Sequence, residues 1–159
     1  MSSNSYIAVL EDSLTKKFDI LMHLQLLCEK QSDILDDENM TPEMFEENVQ
    51  EKEALISKLT QLDDGFEQLY QRVGEELAAN KEAYKDSIRH MQELIRDVTS
   101  RSIQIQAIET RNKEKAQRRF GEIRSQIREV KHSGRAVSNY YQNMMKMNAV
   151  EPQFWDSKK

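Results

Sequence analysis

A chain of 159 residues suits one domain, and this one devotes 32% of its residues to Asp, Glu, Lys and Arg while holding four Gly and two Pro. So few breakers among so many helix formers exclude a sheet protein and point to long helices that each bury one apolar stripe. The net charge of −5 conceals a division: residues 1–80 carry 6 Lys and Arg against 18 Asp and Glu, residues 81–159 carry 17 against 10.

The first predicted helix covers 4–37, where Ile7, Leu10, Leu14, Phe18, Leu21, Leu24, Cys28, Ile34 and Leu35 recur at three-four spacing. The stretch "DDENMTPEMFEE" stops it. Thr41 is a good N-cap, and Pro42 suits a first helical position, where its missing N–H costs nothing. Glu43, Glu46 and Glu47 then place negative charge near the positive end of the next helix.

The second predicted helix covers 42–77, with Leu55, Leu59, Leu62, Phe66, Leu69, Val73 and Leu77 on one face. That stripe crosses Gly65 in phase, so the glycine is read as helical. Asn80, a residue that tolerates helix-ending conformations, places a turn between 76 and 83. A third helix is predicted over 82–132 from Tyr84, Ile88, Met91, Ile95, Val98, Ile105, Ile108, Ala116, Phe120, Ile123, Ile127 and Val130, with "KHSGR" and Gly134 as its break. The expected fold is all-α: an elongated antiparallel three-helix bundle or coiled-coil hairpin, up-down-up, with a short C-terminal amphipathic segment. The third helix, the longest, should project at one end. In domain terms, 1–133 is the bundle and 134–159 a partner-binding segment and tail.

Little in the chain suggests reaction chemistry. His23, His90 and His132 are scattered, and "EVKH" at 129–132 is a single Glu-x-x-His pair, whereas a di-metal bundle needs a second copy and further glutamates. No phosphate loop, nucleophile elbow or Cys/His pairing occurs, so neither catalysis, cofactor nor metal is expected. The basic run "RNKEKAQRRFGEIRSQIREVKHSGR", 111–135, raises the question of nucleic acid, but it has no aromatic platform or recognition motif. The preferred reading is a basic helix lying beside acidic ones, with no nucleic-acid role. Cys28 has no partner for an internal disulfide, and its expected part is that of a small apolar filler. "MSSNSYIAVLEDS" lacks the basic start and apolar core of a signal peptide, and no apolar run reaches the roughly 18 residues of a membrane span. A reducing, cytoplasmic setting without membrane insertion is therefore expected.

The last twenty residues, "YYQNMMKMNAVEPQFWDSKK", differ from everything before them. Val137, Tyr141 and Met144 or Met145 continue a helical stripe that Tyr140 and Met147 broaden, and Val150, Phe154 and Trp155 follow. Methionine is flexible and polarisable, so such a face adapts to partner surfaces. These nine residues are the candidate partner-binding site.

Three stretches, "EKEALISKLTQLDDGFEQLYQRVGEEL", "IQIQAIETRNKEK" and "VEPQFWDSKK", give the chain a resemblance to FlgN-like flagellar export chaperones, with FliT-like chaperones as close relatives. The resemblance covers nearly the whole chain. It implies an all-helical, cytoplasmic, non-enzymatic chaperone of the flagellar type III export system. Such a protein holds hook–filament junction proteins (hook-associated proteins) or filament-cap proteins unassembled and delivers them to the export apparatus. It further implies that the C-terminal amphipathic segment engages the substrate, as a monomer or weak dimer. The alternative is a structural coiled-coil scaffold or adaptor whose stripes pair between identical chains.

Overall fold

Helix formation follows the apolar spacing closely through the first eighty residues. A computed structural model describes residues 3–121, with side chains from Ser5 onward. α1 spans Ser3–Asp36, α2 Pro42–Ala79 and α3 Lys85–Arg119, and no strand occurs among the described residues. The fold is an all-α bundle.

The first connection is built as its chemistry requires. The Asp37 carboxylate accepts from the Asn39 N–H at 2.9 Å, an Asx-type turn. Thr41 is extended, and its hydroxyl accepts the Met44 N–H at 3.3 Å. Pro42 opens α2 with Glu43 in the first turn. α2 runs straight through Gly65 and ends at Asn80, whose backbone and side-chain amides both donate to the Glu76 carbonyl, at 3.0 and 3.1 Å. Residues 80–84 make the second reversal with no positive-φ residue among those described. The turn overlaps the expected window of 76–83 and extends one residue beyond it, to Tyr84.

α1 runs antiparallel to α2 and parallel to α3. Lys17 meets Asp63 and Gln31 meets Lys52 across the first pair, whereas Glu11 meets His90 and Asp36 meets Lys115 across the second. Close backbone approaches join α1 to each neighbour and are few between α2 and α3. α1 is thus the central helix, and α2 and α3 meet through side chains.

The buried stripe divides into three apolar clusters. Ile7, Leu10 and Leu14 join Phe66, Val73, Leu77, Met91 and Ile95 at one end. Leu21, Leu24, Leu27 and Cys28 join Leu55, Leu59, Val98 and Ile105 in the middle. Leu35, Ala116 and Phe120 form a small cluster at the far end, flanked by Met40 and Phe45. Each fully buried aliphatic side chain contributes roughly 1.5–3 kcal/mol relative to exposure, so the first two clusters hold most of the stabilisation.

The described α3 ends at Arg119, and its 35 residues compare with 34 in α1 and 38 in α2. Positions 122–132 of the expected third helix lie outside the described residues. Phe120 leaves the helix to set its ring edge-on to Phe45, with centroids 5.3 Å apart. Gly121 then donates back to the Arg118 carbonyl. The Arg119 guanidinium donates to the carbonyls of Asp37 and Glu38, at 2.7 and 3.2 Å, fastening α3 to the α1–α2 turn.

Candidate functional site

All nine candidate partner-binding residues, Val137, Tyr140, Tyr141, Met144, Met145, Met147, Val150, Phe154 and Trp155, lie outside the described residues, as do Glu129 and His132. Gly121, the last described residue, follows the cluster of Leu35, Ala116 and Phe120, with Phe45 against it.

Charge at this end is arranged as the division of the sequence suggested. Lys115 donates to Ser32 Oγ and to the Asp36 carboxylate, each at 2.8 Å, and Arg119 covers carbonyls just beyond the C-terminus of α1. Cations there also complement the negative end of the α1 dipole. The first part of the basic run is therefore engaged by the acidic helix next to it.

A buried polar layer that the sequence reading did not identify lies between the middle and far clusters. Lys52, 3% exposed, reaches from α2 to the Glu109 carboxylate on α3 and to Gln31 Oε1 on α1 at 3.2 Å. The Cys28 thiol donates to Glu109 Oε1 at 2.9 Å. Asn48 of α2 and Asn112 of α3 grip α1 from either side, their amides donating to the consecutive carbonyls of Leu27 and Cys28 at 3.0 and 2.8 Å. Asn112 also donates to Gln31 Oε1 at 3.2 Å. A second, smaller polar contact, Lys17 with Asp63 at 2.6 Å, separates the middle cluster from the first. The signal was available in the phase: Asn48 and Lys52 continue the Leu55–Leu59 face, Asn112 lies seven residues after Ile105, and Lys17 lies between Leu14 and Leu21.

The layer has structural rather than catalytic chemistry. Burial, reinforced by the neighbouring Glu109 carboxylate, pushes the Cys28 thiol far above its ordinary range and holds it protonated. A buried thiol of this kind is a poor nucleophile. Among the described residues no group of three His, Cys, Asp and Glu is placed to hold a metal ion. His90 instead faces the Glu11 carboxylate at 3.1 Å.

Outside the core, Met22 and Leu26 sit one turn apart on α1, with Leu26 63% exposed. A shallow groove of about 430 Å³ between α1 and α2 is lined by Lys16, Asp19, Ile20, Lys58, Gln61 and Leu62. No helix among the described residues is long and apolar enough to cross a membrane.

A family model described as FlgN protein matches residues 1–149, which spans the three helices and Val137–Met147 and stops before Val150, Phe154 and Trp155. No curated protein and no solved structure matches the chain.

Proposed function

The chain belongs to the FlgN family of flagellar export chaperones, and from that premise we propose that residues 134–159 form its cargo-binding segment. In this reading the cargo is a hook-associated (hook–filament junction) protein or a filament-cap protein. The chaperone keeps it from assembling in the cytoplasm and delivers it to the type III export apparatus. Val137, Tyr140, Tyr141, Met144, Met145 and Met147 form the apolar face that meets the cargo, with Val150, Phe154 and Trp155 extending it.

The observation that supports this reading is that the described helices bury an apolar core among themselves. Most of its buried apolar residues from Ile7 to Phe120 fall in three clusters. The Tyr- and Met-rich stripe further along the sequence, outside the described residues, adds apolar residues to those the described core already holds. A cargo that assembles through helical ends offers a matching surface, covered by helix-in-groove or helix-helix contact. Ordering such a segment on binding opposes part of the contact free energy, which keeps affinity moderate and permits release without any hydrolysis by the chaperone.

The test compares capture of purified hook-junction and cap proteins by the full chain and by a version ending at Ser133. Cargo should be held by the full chain alone. Tyr141→Asp should weaken capture by placing an unpaired charge in the contact, while circular dichroism shows unchanged helix content. Equal capture by both versions overturns the assignment. A stable dimer by light scattering, with capture insensitive to truncation, would favour the scaffold reading.

A further inference from the structure

We propose that the polar layer of Gln31, Asn48, Lys52, Glu109 and Asn112 is a hinge line. Beyond it, the last turns of α1, the first turns of α2 and the last turns of α3 open together while the rest of the bundle stays closed.

Two polar breaks divide the described core. At Lys17 and Asp63 one ion pair separates two clusters of eight buried residues each. Opening there would expose a full cluster for the sake of two charges. At the layer, the far side holds, among the described residues, a cluster of three buried residues, Leu35, Ala116 and Phe120, with Met40 and Phe45 against it. Of the described apolar residues, opening exposes these together with Ile34 and Val49.

The polar groups favour opening at the same place. Asn48 Oδ1 and Asn112 Oδ1 are buried without a hydrogen-bond partner among the described residues. A buried carbonyl oxygen left unpaired forfeits its hydration, and opening restores it. Lys52 and Glu109 form a buried charge pair whose desolvation offsets much of its attraction, so hydration also recovers part of what the pair loses. What holds the end from outside is modest: Lys115 with Asp36, whose carboxylate is 63% exposed, and Arg119 with two carbonyls. A small apolar gain set against several desolvated polar groups makes this the weakest transverse section among the described residues. The inference is independent of the cargo reading.

Native-state hydrogen exchange by NMR on the full chain, in rising low concentrations of urea, tests it. Amides of residues 31–36, 46–51 and 110–119 should share one opening, with exchange about 100-fold faster than around Leu21–Leu24 and Ile95–Val98 and a smaller urea dependence. Replacing both asparagines, Asn48→Leu with Asn112→Leu, should slow exchange of the end about tenfold or more and leave the centre unchanged. Phe120→Ala should speed the end alone, and it decides the matter if the double variant fails to fold. Identical opening free energies and urea slopes at end and centre overturn the proposal. So does protection that falls residue by residue and differently in each helix, which is ordinary fraying.

Discussion

Replacing Lys52 with methionine removes one charge from a place that water does not reach. Lys52 is 3% exposed and Glu109 14%, and the ammonium contacts both the Glu109 carboxylate and Gln31. In Lys52→Met the carboxylate keeps the Cys28 thiol as a weak donor and loses its countercharge. Two unit charges in contact attract by roughly 4 kcal/mol at an effective dielectric of about 20. Measured losses on breaking one side of a buried pair run at about 3–5 kcal/mol, so that range is the expected destabilisation. Glu109→Leu should lose a similar amount, because it strands the ammonium. The double variant Lys52→Met with Glu109→Leu should return to within about 1 kcal/mol of the parent, since well-shaped apolar groups often replace such a pair without loss. Urea denaturation of the four proteins completes the cycle, with unchanged slopes as the condition for comparing them. A Lys52→Met variant within 1 kcal/mol of the parent would refute the claim that this charge is buried and paired.

Two further outcomes follow from single positions. Gly65 lies inside α2, and a methyl there meets nothing within 4 Å, so Gly65→Ala should stabilise by about 0.5–1 kcal/mol, raising Tm by a few degrees by calorimetry. Gly74→Ala should show less gain or a loss, because the added carbon would sit 3.2 Å from the Tyr70 ring. Cys28 should resist thiol reagents in the native state and react after unfolding. Its folded thiol is held above the unfolded range, so above about pH 8.5 the unfolded chain gives up a proton that the folded one retains. Stability therefore falls as pH rises through the alkaline range, with a limiting slope of about 1.4 kcal/mol per pH unit from this group. Cys28→Ala should remove that component of the slope in urea melts between pH 8 and 10.

The parts of the fold that could be read from the chain are those where local chemistry and burial agree. The Ile7–Leu35 stripe, the Thr41–Pro42 start and the Asn80 stop each have a short-range cause, and each falls where it was expected. The described end of α3 has a long-range cause: Phe120 finds Phe45, and Arg119 finds the carbonyls of the α1–α2 turn. Spacing within one segment carries no record of such partners. The polar layer escaped for a related reason. Asn48, Lys52, Glu109 and Asn112 look like surface residues until three helices bring them together. Of the candidate site, its apolar character is legible in Tyr140–Met147, whereas its position relative to the rod depends on contacts that no local pattern encodes.

The parallel pairing of α1 with α3 carries a consequence for how the molecule is made. Side-chain hydrogen bonds such as Asn48 with Leu27 and Lys17 with Asp63 join α1 to α2 across 21 and 46 residues, while that of Cys28 with Glu109 joins α1 to α3 across 81. During synthesis the first two helices can zip into a hairpin while the third is still unmade. Closing the larger loop comes later and at a higher entropic cost. Until it does, the nascent hairpin presents an uncovered flank of α1 along its length.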